Sequence, residues 1–206
     1  MQKYLYQDLY DLEDTYWWHK TKRNLVSYFL NQNLKNKKGN KLLDVKCGTG
    51  KNLGIFSKFG DVCGVDSSPE AIAFCKERGF KNVTLGNIEK MHFKQNSFDA
   101  VTALDVLEHV NDDLALKEIN KVLRSNGILV VTVPAFGWIW SKWDEVLLHK
   151  RRYTLKILSN ILKANEFKII RISYYYSFLL LPILVIRNIK NIFYKDNYPF
   201  RFQIIK

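Results

Sequence analysis

The chain has 206 residues, a length that suits one domain, and its apolar fraction of 47% is enough for a folded core, which excludes wholesale disorder. Its net charge of +12 is unevenly distributed, because residues 146–206 hold twelve Lys or Arg and two acids (net +10) and the preceding 145 residues are only +2. This asymmetry predicts an acidic partner surface, either anionic lipid or nucleic acid.

The cysteines and the N-terminus indicate a cytoplasmic protein. Cys47, Cys63 and Cys75 are an odd number without the spacing of a metal site, and free thiols are typical of the cytosol. The first 14 residues are acidic and aromatic, and they lack the basic start and apolar run of a signal peptide. We therefore expect free thiols and no metal site.

The first predicted helix runs from about Lys20 to Leu34, because its apolar residues recur at helical spacing. An aromatic pair, Trp17 and Trp18, precedes it. Two interpretations of this region remain open. Either the tryptophans cap the hydrophobic core, or residues 1–40 form a helical lid over a ligand site.

A strand, a glycine-rich turn, a helix and a second strand are predicted within residues 42–66. The first apolar run ends at Val45, the turn contains Gly48 and Gly50, and the second apolar run ends at Asp66. Glycines let the backbone approach a ligand closely, and a helix start presents free N–H groups. An acid about 20 residues after the first strand can accept hydrogen bonds from both ribose hydroxyls. The unit is therefore suited to hold a nucleoside.

Residues 44–50, DVKCGTG, resemble motif I of the class I S-adenosylmethionine (SAM) methyltransferases, which is written D-x-G-x-G-x-G. The resemblance implies that Asp44 reaches the methionine amino group, that the glycines pass beneath the cofactor and that Asp66 binds the ribose. The cofactor-binding residues implied at this unit are Asp44, Cys47, Gly48, Gly50, Asp66 and Ser67.

Lys46 stands where the family has the first glycine of this motif. A lysine is costly there if the position needs a positive φ or a close backbone approach. Two alternatives follow. Either Lys46 lies along the rim of the pocket and tolerates SAM, or its side chain weakens or abolishes the cofactor site.

A second helix is predicted after Asp66, with Ser68 as its cap and Pro69 at its first position. A third strand then ends at Leu85. In the family the next residues flank adenine, which implies that Asn87 hydrogen-bonds the exocyclic amine and that Ile88 covers the ring.

The fourth predicted strand, Phe98 to Val106, leads into residues 105–110, DVLEHV. This stretch resembles the motif that follows strand four in the ubiquinone-type O-methyltransferases. The resemblance implies that Leu104 lies against the methionine part of SAM and that Glu108 and His109 face the acceptor. A structural role for His109, as a helix cap or a core histidine, remains equally open.

The remaining elements complete an alternation of strands and helices. A helix from Asp112 is expected to close at Gly127, and further strands are expected at 128–133, 167–172 and 200–205. The pattern predicts an α/β, Rossmann-like doubly wound fold with a mainly parallel sheet of six to seven strands and helices on both faces.

Residues 134–153 form an insertion rich in aromatics and cations. Its end, HKRRYT from His149, resembles a trailing H-x-R-R-Y-T of the same group, so it is a candidate acceptor site; a solvated basic helix start is the alternative. Residues 13–23 resemble the E-x-x-Y-W-W-x-x-x-x-R segment of a bacterial and archaeal group of these enzymes. That resemblance makes Arg23 a candidate for the methionine carboxylate.

The C-terminal segment, residues 172–195, begins with fifteen uncharged residues, which as a helix span roughly 22 Å against a bilayer core of about 30 Å. A membrane span is therefore not expected. An interfacial helix on the inner face of the membrane and an ordinary packed helix are the two alternatives.

The resemblance covers nearly the whole chain, with residues 41–206 as the methyltransferase domain. It implies methyl transfer from SAM, with S-adenosylhomocysteine as product, to a small-molecule or lipid-linked acceptor at oxygen. A hydroxyl acceptor benefits from a base, for which His109 is the first candidate and His149 the second. A non-catalytic SAM-fold protein is the alternative. A nucleic-acid methyltransferase ranks last, because the chain has neither an N/D-P-P-Y/F motif nor a Pro-Cys.

Overall fold

The computed structural model describes residues 4–34, 39–182, 184 and 185, and the chain divides into two compact units, Met1–Ile170 and Arg171–Lys206. The described part of the first unit contains a five-stranded sheet in which every neighbouring pair is parallel, in the order β3-β2-β1-β4-β5. The strands are β1 (Asn40–Val45), β2 (Gly60–Asp66), β3 (Val83–Leu85), β4 (Phe98–Leu104) and β5 (Leu123–Thr132).

Helices connect the strands and flank the sheet. They are α1 (Tyr4–Leu12), α2 (Trp17–Asn33), α3 (Lys51–Phe56), α4 (Pro69–Glu77), α5 (Asp112–Val122), α6 (Lys142–Val146) and α7 (Leu155–Ala164). Short 3₁₀ turns occur at Ser57–Phe59, Leu107–His109 and Gly137–Ile139. A buried cluster of Val26, Leu30, Leu42, Phe56 and Ala100 joins α2 and α3 to β1 and β4. Burial of such apolar area, at about 25 cal/mol per Å², stabilises the arrangement.

The predicted start of α4 is confirmed by local geometry, whereas α2 starts earlier than predicted. Ser68 caps α4, because its hydroxyl accepts a hydrogen bond from the Ala71 amide at 3.3 Å, and Pro69 occupies the first helical position. The helix α2 begins at Trp17, three residues before the predicted Lys20, so the aromatic pair lies inside its first turn.

Two predicted boundaries around β4 and β5 are wrong. Gly127 does not close α5, because Leu123 already has an extended backbone (φ −69°, ψ 140°) and pairs with Phe98 at the start of β5. The strand β4 ends at Leu104 rather than Val106, because Asp105 adopts a positive φ of 56° that breaks the extended chain.

The prediction of six to seven strands is not confirmed. Residues 167–172, predicted as strand six, have no regular structure, and Ile170 is 73% exposed, whereas a strand of this sheet would bury such a side chain. The predicted strand at 200–205 lies outside the described residues.

The second unit is described only up to residue 185. Residues 171–176 are irregular, a 3₁₀ turn covers Ser177–Leu179, and residues 180–182, 184 and 185 are helical. The predicted apolar helix therefore begins later than residue 172, and its predicted continuation to 195 lies outside the described residues. In the part of the chain that the structure describes, no helix is long and apolar enough to cross a bilayer.

Candidate active site

The glycine turn lies at the carboxyl end of β1, next to the point where the strand order reverses between β1 and β4. Parallel α/β sheets bind their ligands at this switch point. Lys46, Gly48 and Gly50 all have positive φ, at 51°, 57° and 83°. A side chain at Gly50 would place its Cβ only 2.8 Å from the sulfur of Cys75, so both conformation and space require glycine there.

Asp66 at the end of β2 fastens this turn. One carboxylate oxygen accepts a hydrogen bond from the Gly48 amide at 3.0 Å, and the other accepts one from the Ser68 amide at 2.9 Å. Each carboxylate oxygen has two acceptor positions, so the group retains capacity for hydroxyl donors. Asp66 therefore fits the ribose role that the resemblance implies.

Asp44 is a buried acid with one oxygen to spare. Its Oδ1 accepts a hydrogen bond from the Thr102 hydroxyl at 2.5 Å, whereas its Oδ2 has no hydrogen-bond partner among the described residues. Burial raises the pKa of Asp44 to about 7. A buried, unpaired carboxylate oxygen is satisfied by a bound cation, so Asp44 fits the α-ammonium group of SAM.

A cavity of about 130 Å³ opens beside the turn. It brings together Ser67, Asn87 and Ile88, three predicted cofactor residues, with Lys46 and the acceptor candidate His109. The Asn87 side-chain oxygen accepts a hydrogen bond from the Glu89 amide at 2.9 Å, which leaves the amide nitrogen available to a ligand. The predicted adenine side and the predicted acceptor side of the site therefore share one cavity.

Lys46 has the positive φ that makes a non-glycine residue costly, and its side chain lines this cavity. Burial lowers the pKa of Lys46, while Asp66 and Glu108 act in the opposite direction. Pockets for small ligands usually measure about 300–1,000 Å³, whereas this cavity measures about 130 Å³. A nucleoside therefore needs the flexible Lys46 side chain to move aside.

Three other predicted cofactor residues lie elsewhere. The Cys47 side chain is buried beneath the turn, 3.8 Å from the sulfur of Cys75, and Cys47 is not among the residues that line the cavity. Leu104 packs against the apolar cluster that joins α2 to the sheet. Arg23 is buried and donates a hydrogen bond to the Glu13 carbonyl oxygen at 2.6 Å, which ties α2 to the segment after α1.

The N-terminal segment is fastened to the glycine turn by a network that sequence reasoning missed. The buried Glu13 carboxylate accepts hydrogen bonds from the Thr49 hydroxyl and from Arg78, both at 2.5 Å. Arg78 also donates to the Thr49 carbonyl at 2.9 Å, and its guanidinium lies 4.1 Å from the Tyr10 ring centroid. Glu13 is part of the quoted E-x-x-Y-W-W segment, but nothing local to that segment indicates Arg78 as its partner.

The turn after β4 carries the predicted acceptor residues. Asp105 accepts hydrogen bonds from Lys22 at 2.5 Å and from the Thr132 hydroxyl at 2.8 Å. Glu108 is fully buried, and neither of its carboxylate oxygens has a hydrogen-bond partner among the described residues. Burial, followed by the charge of Asp105, raises the pKa of Glu108 to about 8.

Glu108, His109 and His149, the three candidates for the acceptor side, lie close together. The Nε2 atoms of His109 and His149 lie 3.9 and 4.0 Å from Glu108 Oε1, and the two imidazole rings are 4.9 Å apart. Their three candidate ligand atoms lie within 4.8 Å of one another, a spacing that a divalent ion could bridge. The group can therefore accept a proton, or hold a cation, at one edge of the cavity.

Part of the chain resembles known methyltransferases in sequence. Residues 43–131 match the model of a family described as "Methyltransferase domain". An uncharacterized protein of Methanocaldococcus jannaschii is 36% identical over 65% of this chain and 46% of its own length. A demethylmenaquinone methyltransferase of Staphylococcus aureus is 40% identical over 54% of this chain and 53% of its own length. The chain thus spans about half the length of these relatives.

Solved structures show the same fold. A phosphoethanolamine N-methyltransferase of Haemonchus contortus, in complex with SAM, superposes with a TM-score of 0.65 at 22% identity, over 84% of this chain and 43% of that one. Asp44 and Asp66 offer the acceptors that the ammonium and the ribose of SAM would require. The chain therefore shares the fold of this solved methyltransferase, and residues 43–131 resemble a methyltransferase domain.

Proposed function

We propose that this protein transfers a methyl group from SAM to a hydroxyl oxygen of a small-molecule or lipid-linked acceptor. The observation that carries the proposal is the shared cavity, in which the predicted adenine residues Asn87 and Ile88 lie beside His109. His109 belongs to the group of acceptor candidates that also contains Glu108 and His149. The printed name of the Staphylococcus aureus relative, a demethylmenaquinone methyltransferase, favours a small-molecule acceptor.

In this proposal the chain holds the methionine, ribose and adenine parts of SAM with different residues. Asp44 binds the ammonium, Asp66 the ribose and Asn87 the adenine. Arg23 reaches the methionine carboxylate only if it leaves the Glu13 carbonyl oxygen, to which it donates in this structure. Bound SAM supplies a methyl group on a sulfonium sulfur that is already a good leaving group. The chain's own tasks are then to align the acceptor with that methyl, to exclude water and to accept the hydroxyl proton.

The N-terminal segment serves as the lid in this proposal. A Cβ at Gly48 would lie 3.8 Å from the Leu9 side chain of α1, and Glu13 binds the turn through Thr49. These contacts support a lid that covers the cofactor side of the site and excludes water from it.

A non-catalytic SAM-fold protein is the second candidate, and one observation favours it. Lys46 adopts a left-handed backbone at a glycine position of the motif and lines the cavity. A lysine at this position is compatible with SAM binding only if its side chain moves when SAM enters. If it does not move, the chain does not bind SAM and the non-catalytic candidate is favoured.

We expect Lys46→Gly to change the affinity for SAM by less than about tenfold, or 1.4 kcal/mol, because Lys46 can leave the cavity while Gly48, Gly50 and Asp66 form the binding elements. Lys46→Met keeps the bulk and removes the charge, so the pair of variants separates size from charge. Calorimetry measures both. If the native chain does not bind SAM and the glycine variant does, the non-catalytic candidate is correct.

We also propose a peripheral attachment to anionic membrane on the cytoplasmic side, supported by the net charge of +10 in residues 146–206. Each cation near such a surface contributes about 1 kcal/mol, and salt screens that attraction within a Debye length. We expect the protein to co-sediment with anionic vesicles at low salt, much less at high salt, and hardly with neutral vesicles. Failure to bind anionic vesicles at low salt would favour a soluble acceptor.

The proposed activity is tested with SAM that carries a labelled methyl group and a panel of phenolic and quinol acceptors, soluble and lipid-linked. We expect label on the hydroxyl oxygen of at least one acceptor class. Binding of SAM without transfer to any acceptor would support the non-catalytic candidate. Transfer to a nitrogen acceptor alone would retain the methyltransferase and reject the oxygen assignment.

A further inference from the structure

We propose that Glu108, His109 and His149 form a binding site for a divalent transition metal ion, with Zn²⁺ as the ion that fits best. The site lies on the predicted acceptor side of the candidate active site. Its role rests on the proposed methyl transfer, whereas the binding of the ion depends on these side chains alone. The cysteine spacing predicted no metal site, and the site proposed here uses no cysteine.

Glu108 is the acidic member of the group, and its carboxylate lacks the hydrogen bonds that a buried acid needs. Its side chain is fully buried, and neither oxygen has a hydrogen-bond partner in the part of the chain that the structure describes. The charge of Lys46 acts on Glu108, but without a hydrogen bond. Buried charges in proteins are paired or coordinate metals, because an isolated one is costly. The two carboxylate oxygens are therefore suited to a bound cation.

The two imidazoles place the same ring nitrogen near the same oxygen of Glu108. Nε2 of His109 lies 3.9 Å from Glu108 Oε1, and Nε2 of His149 lies 4.0 Å from it. One ligand atom from each of the three residues lies within 4.8 Å of the other two. A tetrahedral ion with bonds of about 2.1 Å holds its ligand atoms about 3.4 Å apart. Shifts of roughly 0.5–1 Å in the side chains therefore bring these atoms into coordination.

The opposite nitrogen of each imidazole has an oxygen partner. His149 Nδ1 lies 2.9 Å from Asp144 Oδ1, and this carboxylate also accepts hydrogen bonds from Arg152 at 2.7 and 3.0 Å. His109 Nδ1 lies 3.3 Å from the Leu148 carbonyl oxygen. Because both partners are acceptors, the proton of each ring is assigned to Nδ1, and both Nε2 lone pairs are available to a metal. Oxygen partners of this kind fix the orientation of metal-binding histidines.

The protein itself holds together the two segments that carry the ligands. The Lys150 amide, next to His149 in the chain, donates a hydrogen bond to the Glu108 carbonyl oxygen at 2.7 Å. Arg151 donates a hydrogen bond to Asp112 at the start of α5 at 2.9 Å, and the Tyr153 hydroxyl does so at 3.0 Å. The ligands therefore stand on a fixed frame, and a site of this kind needs little rearrangement to bind its ion.

The types of ligand favour a transition ion over Mg²⁺ or Ca²⁺. Two imidazoles and one carboxylate are a ligand set of catalytic zinc sites, in which a fourth position stays open, whereas Mg²⁺ and Ca²⁺ take oxygen ligands. The nearby acid Asp105 is engaged elsewhere, because it accepts hydrogen bonds from Lys22 and from the Thr132 hydroxyl. Among the described residues, the group thus offers three ligands and leaves a position for a small molecule.

His109 joins the proposed site to the cavity, because it borders the same space as the predicted adenine residues Asn87 and Ile88. A metal ion lowers the pKa of a hydroxyl that it binds, which makes the oxygen a better nucleophile at neutral pH. In the proposed methyl transfer the ion therefore takes over the task of a base, and the hydroxyl proton passes to solvent. The oxygen then forms the bond to the methyl carbon, while the carbon–sulfur bond breaks and its electron pair remains on sulfur.

The test is a titration of the untagged full chain with Zn²⁺ and with Co²⁺, after treatment with a chelator and without SAM. We expect one ion per chain by calorimetry and a visible Co²⁺ spectrum typical of nitrogen and oxygen ligands. Glu108→Gln and His149→Ala should each weaken binding at least about tenfold, the effect that even the outer partners of a metal ligand have. His92→Ala and Cys63→Ser are the matched controls and should bind the ion as the native chain does, because His92 is exposed and Cys63 is the least buried thiol.

Thermal unfolding supplies the second readout, since Zn²⁺ should raise the melting temperature of the native chain and not that of Glu108→Gln. Absence of a bound ion in the native chain would overturn the inference, whether or not His149→Ala folds. Equal affinity in Glu108→Gln, loss of the ion from either control, or a sulfur-to-metal absorption band in the Co²⁺ spectrum would also overturn it. A native chain that binds the ion but not SAM would support the metal site and contradict the proposed function instead.

Discussion

Replacement of Asp44 by asparagine is expected to weaken SAM binding by about 3–5 kcal/mol, which is more than a hundredfold, because it removes one partner of a buried ion pair. The Asp44 side chain is 2% exposed, and its Oδ2 is unpaired among the described residues, so the ammonium of SAM would be its partner. The asparagine retains an acceptor for Thr102, so the fold should persist. Asp61→Asn is the matched control, because Asp61 is an exposed acid on β2.

Asp44→Asn should raise the stability of the unliganded protein at neutral and higher pH, although it weakens SAM binding. The pKa of Asp44 is about 7 in the folded chain and about 3.9 in an unfolded one, so the folded state holds its proton more tightly. Stability of the unliganded protein is therefore lost as the pH rises from about 4 through about 7. Above pH 7, Asp44→Asn should have a higher melting temperature than the native chain. SAM affinity of the native chain should instead rise with pH and become constant above about 7, with release of a proton on binding below that.

Calorimetry in two buffers of different ionisation enthalpy, at pH 6 and pH 8, measures both the affinity and the proton release. Equal SAM affinity of the native chain and Asp44→Asn at pH 8 would show that Asp44 has no role in binding the ammonium. A variant that melts below the native chain at pH 8 would show that the buried charge is compensated within the protein itself.

Replacement of Asp66 by alanine is expected to weaken SAM binding by about 1–3 kcal/mol, the range for losing hydrogen bonds to a charged partner. Asp66 lies 22 residues after Asp44, at the carboxyl end of β2. Asp66 also accepts a hydrogen bond from the Gly48 amide. The alanine variant therefore loses SAM affinity for a second reason, because the glycine turn is no longer held in place.

Asp66→Asn separates these two contributions, since it keeps one acceptor oxygen for the turn and removes the charge. Asp61→Ala is the matched control on the same strand and should bind SAM as the native chain does. Unchanged affinity in Asp66→Ala, with a native circular dichroism spectrum, would remove Asp66 from the site.

The centre of the site could be predicted because its parts are close in sequence. The strand β1, the glycine turn, α3 and β2 occupy consecutive residues, so local apolar runs and glycines place Asp44 and Asp66 at neighbouring strand ends. Glu108, His109 and His149 were each candidates for the acceptor side because both segments resemble parts of one family, but their contact with one another was not predicted.

The contacts that orient these residues could not be predicted, because they depend on tertiary packing. Arg78 reaches Glu13 across 65 residues, and no local pattern indicates that pair. Asp144 is fully buried although it lies among tryptophans and cations in the sequence, and no local pattern indicates that burial. The predicted strand at 167–172 failed for a related reason, since an apolar run predicts burial only when a neighbouring strand is available to cover it.

The central claim is that the glycine turn and its two acids form a SAM site, and calorimetric titration of the purified chain with SAM and S-adenosylhomocysteine tests it most directly. We expect saturable binding of both at one site per chain, weakened in Asp44→Asn and in Asp66→Ala and unchanged in Asp61→Ala. Absence of binding to the native chain, or equal binding by all four proteins, would contradict the account.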